Sequence, residues 1–288
     1  MKIRIEDYTF GLVGVNEELV PSNIKLFATD EEEDVEMTYT FHFVSELPYP
    51  NESWHLVFNR YNMRAFRKEY LEYRILSTSS HADAYAAYEE TDTHHANIYY
   101  LKMVENELAI DTVFNSCLAL ERHFARKNCY ILHCAHLCYR GMSILFSGPS
   151  GIGKSTQADI WCKHIEGTHV VNGDRCLIRK NLDGTFEACG WPVCGSSEIC
   201  HVEHYPLLAI VFVEQTRMNQ IIPERPMNYF KRIAAQLTIN HWDTTVTNKA
   251  LDFVSELASK VQILTYGCNM NPDAAFTLQQ AIGERAIT

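Results

Sequence analysis

The sequence predicts an α/β protein whose first hundred residues are β-rich, and three observations carry that reading. Residues 35–44, VEMTYTFHFV, place Val35, Met37, Tyr39, Phe41 and Phe43 on one face at period two. Over residues 108–127 the period changes: Ile110, Val113, Phe114, Cys117, Leu118 and Phe124 recur at helical spacing, with basic residues in the last turns. Beyond them, an apolar stretch runs into a glycine loop and then into a helical pattern, across residues 142–165.

The remaining elements fall in order around these three. Residues 2–8, 23–27, 54–58 and 97–103 read as further short strands. A boundary near Glu105 separates a β-rich N-terminal domain, residues 1–105, suited to partner or peptide binding, from a second domain over residues 106–288. In that second domain, apolar stretches 130–138 and 142–146 flank Tyr139-Arg140-Gly141, the spacing of a β-hairpin. A helix over 154–165 and a strand over 169–171 follow. A second hairpin spans 174–188 and turns at Asp183-Gly184. Residues 207–213 form a buried strand, 226–237 and 249–259 two helices, and 262–266 a last strand. The chain contains no internal repeat.

Composition narrows the function classes. With 288 residues, 47% hydrophobic and 21% charged, the chain can bury a full core as one large domain or two ordinary ones. A net charge of -11 argues against nucleic-acid and anionic-membrane binding. Part of that excess is the run DEEED at residues 30–34, read as a solvated loop. The N-terminus, MKIRIEDYTF, alternates charged and apolar residues, unlike a signal or transit peptide. The longest apolar stretch, residues 206–213, is too short to span a bilayer. None of the ten cysteines forms a CxxC pair, and most sit in apolar runs (Cys117, Cys162, Cys176), so the expectation is reduced thiols and a cytoplasmic protein.

The chemistry concentrates in FSGPSGIGKST, residues 146–156. Gly148-x4-Gly153-Lys154-Ser155 satisfies GxxxxGK[ST] between a predicted strand and a predicted helix. Glycines let backbone N–H groups curl around phosphate oxygens, and the helix N-terminus adds its dipole. The expected nucleotide-binding residues are Gly148, Pro149, Ser150, Gly151, Ile152, Gly153, Lys154, Ser155 and Thr156. Lys154 reaches the β- and γ-phosphates and the Ser155 hydroxyl binds Mg²⁺. HCAHLC, residues 133–138, invites a metal reading, but strand alternation sets His133 on one face and Cys134, His136 and Cys138 on the other. Same-face residues of one strand rarely converge on one ion, so His136 reads as an ordinary partly buried histidine.

An antiparallel hairpin before the loop departs from the parallel sheets of most P-loop proteins. The next acidic residue at a strand end, Asp174 in VVNGDRC, comes only twenty residues after Lys154. No guanine-reading NKxD and no LSGGQ stands in the sequence. Switches and pumps therefore recede.

The run LHCAHLCYRGMSILFSGPSGIGKST…VVNGDRCLIRK resembles the HPr kinase/phosphorylase family, which shares its fold with phosphoenolpyruvate carboxykinases. The resemblance covers residues 132–178 and continues through GWPVCG, AIVFVEQ and NPDAA, which look like an uncharacterised bacterial subgroup of HPr-kinase-like proteins. It implies a carboxykinase-like P-loop core with a mixed sheet, ATP and Mg²⁺ as cofactors, and a serine kinase activity. His133 stands fifteen residues before Gly148, matching the family's histidine on the first hairpin strand. The family's pair of aspartates is matched at the second by Asp174, with Arg175 after it, while Gly173 replaces the first, the one cast as general base. A positioned base contributes about 10²–10⁴ in rate, yet phosphoryl transfer leans mostly on positioning and electrostatics. The loss also makes the family's reverse phosphorylase reaction doubtful here.

The resemblance thus implies Lys154, Asp174 and His133 as catalytic residues, with Ser155, Asp174 and Glu198 on the metal. Trp191 and Pro192 stand where relatives place acceptor-facing residues, with a packed loop as the alternative. Cys194 is a candidate thiol and Arg225 a candidate phosphate clamp. The expected reaction moves the γ-phosphate of ATP to a hydroxyl, with serine on a small protein or peptide as acceptor; a free amino acid is the alternative. A nucleotide-sensing adaptor without transfer is the rival class, favoured by Gly173 and opposed by Lys154, Ser155, Asp174 and His133. A homo-oligomer is compatible with the sequence, and the choice between ATP and GTP stays open.

Overall fold

The computed structural model describes residues 1–31 and 33–285, so Glu32 of the acidic run and the last three residues lie outside the described residues. The chain divides into two units, Met1–Leu120 and Glu121–Thr288. Both are α/β with mixed sheets. The division falls after Leu120, later than the Glu105 boundary expected, because residues 102–118 pack on the first unit's sheet. Phe114 stacks on Phe41 at 5.6 Å, and Asn23 Nδ2 donates to Asp111 Oδ2 at 2.9 Å.

In the first unit the strands are β1 (Lys2–Ile5), β2 (Tyr8–Val13), β3 (Ala28–Thr29), β4 (Val35–Val44), β5 (His55–Arg60), β6 (Met63–Lys68), β7 (Leu71–Ser77), β8 (Ala84–Glu90) and β9 (His95–Leu101). They form one sheet among the described residues, ordered β3-β1-β2-β4-β9-β8-β7-β6-β5. β4 runs parallel to both β2 and β9; the other pairs are antiparallel. The alternation read in residues 35–44 holds, with Met37, Tyr39 and Phe41 buried.

Two expectations fail in this unit for local reasons. The strand expected over residues 2–8 is two strands, because Glu6 turns the chain at φ 54°. The strand expected over 23–27 is a helical turn, α1 (Ser22–Lys25), seeded by Pro21. The Lys25 N–H closes it by donating to Pro21 O at 3.1 Å, and Ile24 is buried.

The helix expected over 108–127 is broken into α2 (Asp111–Leu118) and α3 (Leu120–Arg126). Ala119 takes left-handed φ 48° between them, at a cost of roughly 1–2 kcal/mol. Burial of Leu118, Ala119 and Leu120, none of them exposed, offsets it.

The second unit carries β10 (Tyr130–Tyr139), β11 (Met142–Ser147), α4 (Lys154–His164), β12 (Thr168–Asn172), β13 (Arg175–Lys180), β14 (Phe186–Cys189), β15 (His204–Gln215), β16 (Gln220–Ile222), α5 (Pro226–Gln236), α6 (Thr244–Lys260), β17 (Gln262–Cys268) and α7 (Asp273–Arg285). Both predicted hairpins form, β10 with β11 and β13 with β14. β11, β15 and β17 run parallel to one another. Alternation along β11 divides the core. Ile144 and Phe146 face one cluster with Trp161 of α4 and Leu278 of α7, while Leu145 faces the other with Ile233 of α5 and Phe253 of α6. α6 starts earlier than expected because Asp243 caps it, its Oδ1 accepting from the N–H groups of Thr245 and Val246.

β10 sets the frame of the site. On one edge β12 and β13 lie end to end, with His136 opposite Asn172 and His133 opposite Arg175, and a one-residue register shift between His136 and Leu137 offsets the rest of β12. Gly173 and Asp174 interrupt that run. On the other edge β11 ends at Ser147, opposite Cys134, and Leu237 takes over opposite Leu132.

No disulfide joins any of the ten cysteines among the described residues; Cys134 and Cys176 approach to 3.4 Å between sulfurs. No helix among the described residues is long and apolar enough to cross a membrane.

The first unit's sheet buries charge. Arg74 Nε donates to Glu72 Oε1 at 2.6 Å, the Glu72 N–H to Glu90 Oε2 at 3.0 Å, and Tyr88 Oη to Glu90 Oε1 at 2.9 Å. Removing Arg74 takes the 2.6 Å ion pair away from the buried Glu72 carboxylate. Arg74→Met is expected to cost about 3–5 kcal/mol in urea unfolding, and a loss below 1 kcal/mol would refute a stabilising role for the pair.

Candidate functional site

A cavity of about 460 Å³ opens where β10 loses its ladder on both edges; His133, Lys154, Ser155 and Asp174 are among its lining. The glycine loop enters from β11. Gly153 sits at φ 108° immediately before α4, a conformation only glycine adopts without strain, although a Cβ there would meet nothing within 4 Å. The residue is thus needed for its backbone angle, which aims the first-turn N–H groups of α4 at the cavity. Lys154 Nζ donates to the carbonyls of Gly148 at 3.1 Å and Pro149 at 3.2 Å. Burial lowers its ammonium below the usual lysine range.

Asp174 enters from the opposite edge. Its carbonyl accepts from the Cys134 N–H at 2.9 Å, which anchors the interruption to β10. His133 Nε2 lies 3.5 Å from Oδ1, and Arg175 Nε donates to Oδ2 at 3.0 Å. The hydrogen bond from His133, then Arg175, holds the carboxyl below the usual aspartate range although burial opposes it. The other ring nitrogen of His133, Nδ1, faces Gln236 Oε1 at 3.1 Å. Gln236 ends α5, just before Leu237 pairs with β10.

Asn172 fixes the interruption itself. Its side chain is wholly buried; Nδ2 donates to the carbonyls of Trp191 at 2.7 Å and Val193 at 3.1 Å. Its Oδ1 accepts from the N–H groups of Asp174 and Arg175, both at 2.9 Å. One amide therefore ties the Asp174 turn to the loop after β14, using its full donor and acceptor capacity. Sequence reading missed Asn172 and Gln236. Asn172 had a signal, as a polar residue closing an apolar strand; Gln236, remote in sequence, had none.

The other candidates fall as follows. Ser150, Gly151, Gly153 and Thr156 line the cavity, and Gly148 and Pro149 take part through their carbonyls. Ile152 lines a neighbouring cavity of about 330 Å³ with Gln157 and Gln215. Cys194 lines the main cavity. Glu198 is exposed at φ 56° and is not among the lining residues, nor is the exposed Arg225 before α5. Trp191 is fully buried against Phe124, so GWPVCG is a packed loop here. His136 is wholly buried, more so than expected. Its Nε2 bonds the Ser143 hydroxyl at 2.7 Å, and burial pushes its pKa down to about 3, leaving it neutral.

Gly173 has a steric account. A Cβ there would stand 2.0 Å from Ser197 Oγ and 2.3 Å from Ser197 Cβ. The Ser197 hydroxyl donates to Cys194 O at 2.7 Å and accepts from the Ile199 N–H. The segment from Cys194 to Ile199 thus fills the space that a side chain at 173 would need.

Three comparisons bear on this site. The family model described as SynChlorMet cassette protein ScmC matches residues 100–277. No curated protein matches the sequence. Among solved structures, the chain is similar to the Hpr(Ser) kinase/phosphatase from Coxiella burnetii, at 11% identity and a TM-score of 0.34, over 55% of this chain and 96% of that one.

The Gly173–Ser197 contact yields a double-mutant test. Gly173→Ala is expected to destabilise the protein by about 1–3 kcal/mol in urea unfolding, as overpacking does. Ser197→Gly in the same chain should recover most of that loss, because the clash needs both side chains. Additive losses would mean that the two positions do not collide.

Proposed function

The chain belongs to the SynChlorMet cassette protein ScmC family, and we propose that it is an ATP-dependent kinase that phosphorylates a hydroxyl, with serine of a small protein or peptide as acceptor. The observation that carries this reading is the convergence of Lys154, Ser155, His133 and Asp174 on one cavity from both edges of β10. The resemblance of residues 132–178 to HPr kinases supports the same reading, and with it a carboxykinase-like P-loop core for the second unit.

Each residue has a task that its surroundings suit. The first-turn amides of α4 and the Lys154 ammonium hold the phosphates. Ser155 and Asp174 offer oxygen donors, the chemistry Mg²⁺ takes, and one carboxylate is enough for an ion otherwise held by phosphates and water. Bound there, Mg²⁺ supplies charge neutralisation on the phosphates. Glu198, exposed and outside the lining, is left out of this set. Asp174 stays ionised because His133 and Arg175 favour its charged form, so it holds charge better than it takes a proton. Proton acceptance from the hydroxyl then falls to neutral His133 at Nε2, with Nδ1–H donating to Gln236 Oε1; once Nε2 carries the proton, Asp174 at 3.5 Å stabilises the imidazolium. The bond formed joins the acceptor oxygen to the γ-phosphorus, and the bond broken frees ADP.

The packing of Ser197 against Gly173 supports a second reading, an adaptor that binds MgATP and a partner without transfer. Intact mass after incubation with MgATP and candidate acceptors separates the two.

Lys154→Ala is expected to weaken MgATP binding about tenfold or more in calorimetry, as loss of a charge-assisted bond does; unchanged affinity would remove the assignment. Asp174→Asn should lower transfer by about 10²–10³ and flatten its Mg²⁺ dependence. The Asp174 carboxyl lies below its ordinary value of 3.8. Its contribution is therefore present above that range and lost only as pH falls through the lowered folded value. His133→Gln should lower transfer by about 10²-fold or more while leaving MgATP affinity unchanged, and an unchanged transfer rate would remove the imidazole from the proton-accepting role.

A further inference from the structure

β5 closes the sheet of the first unit. It pairs with β6 on one side only, so alternate N–H and C=O groups along its other side face outward. Folded proteins blunt such edges with very short strands, proline, lysine or a bulge. β5 is six residues long, HLVFNR, without proline or lysine. Its one blunting device is the register shift between Leu56 and Phe58. Two consecutive apolar side chains stand out from it, Leu56 at 51% and Val57 at 36% exposure. Tyr61 and Tyr70, in the adjoining turns, are also exposed.

The charged residues of the two strands at this edge are basic only, with exposed Glu52 and Glu69 in the flanking turns. β5 and β6 carry His55, Arg60, Arg64, Arg67 and Lys68 and no acidic residue, in a chain whose net charge is -11. His55, Arg60 and Lys68 are exposed. We propose that β5 is a docking edge for an extended acidic peptide segment of a partner protein, which adds as a further strand beside it. Backbone hydrogen bonds supply affinity in such an addition, and alternate side chains supply selectivity. Acidic residues on the added strand meet Arg60 and Lys68, while apolar ones cover Leu56 and Val57.

A second copy fits this edge poorly. Antiparallel pairing of β5 with itself offers the exposed Arg60 side chains no carboxylate partner, since β5 holds no acidic residue. The sheet's other end, β3, is acidic in its surroundings but only two residues long, too short a ladder for β5. The proposal is independent of phosphoryl transfer, since it involves the first unit alone.

The test uses the full chain and a fluorescein-labelled octapeptide, Thr-Glu-Val-Glu-Val-Glu-Thr-Glu, followed by anisotropy. Saturable binding is expected, with at least tenfold loss when every Glu becomes Lys. Two further probes carry N-methyl groups on odd or on even residues. A strand added at one edge uses only alternate N–H groups, so one probe should lose more than tenfold and the other should bind like the parent. Arg60→Glu with Lys68→Glu should weaken the parent peptide about tenfold. MgATP affinity should stay unchanged in that variant. Equal binding by both methylated probes would show a charge contact without strand pairing and overturn the proposal. So would absence of binding, or sedimentation showing a dimer that Arg60→Glu dissociates.

Discussion

β10 loses its pairing on both edges at one level, and the cavity of the second unit depends on that coincidence. On one edge β11 stops at Ser147; on the other, Gly173 and Asp174 interrupt the run of β12 into β13. A strand interior cannot leave its backbone groups unpaired without a penalty of about 1–3 kcal/mol each. The break is accordingly sealed: Cys134 N–H donates to Asp174 O, and Ser147 Oγ donates to His133 O at 2.9 Å. The groups that seal the break are the ones that flank the cavity. Glycine loop, carboxylate and imidazole therefore arrive together as a consequence of sheet geometry.

Gly173 is best understood from the same break. A carboxylate at 173 and the Cys194–Ile199 segment compete for one volume, and this chain has settled it in favour of the segment. Gly195, at φ 57°, brings that segment against Asp174, where a Cβ would meet Cγ at 3.2 Å. Asn172 then locks both sides with four hydrogen bonds. Glycine at 173 is thus part of a local packing arrangement with several partners. Reversing it by a single substitution would leave Ser197 in the way.

How much of this was legible in the sequence follows from what each signal depends on. The glycine loop, both hairpins and the Asp183-Gly184 turn were readable because glycine backbone angles and period-two patterns are local properties. β6, β7 and β8 were missed because their sheet buries Glu72, Arg74 and Glu90, which erases the apolar alternation. The kink at Ala119 was invisible because tertiary burial overrides an alanine's helical preference. His133 and Asp174 could be named from spacing and family resemblance, but Gln236 is remote in the chain and enters through the pairing of Leu237 with β10. The steric role of Ser197 needed three dimensions: nothing in GSSEI marks it.

Lys154 shows how the loop itself constrains affinity. Its ammonium donates to the Gly148 and Pro149 carbonyls, so binding phosphate exchanges two bonds to neutral acceptors for bonds to anionic ones. Only the difference counts toward affinity, which is smaller than the charge-assisted bonds alone suggest. In return, those two bonds hold the loop in one shape, so less ordering remains to be done on binding. Gly148 at φ 140° and Gly151 at φ 79° make that shape possible without side-chain strain. Under the proposed kinase reading, a preformed loop with a modest net gain suits release of ADP as readily as uptake of ATP.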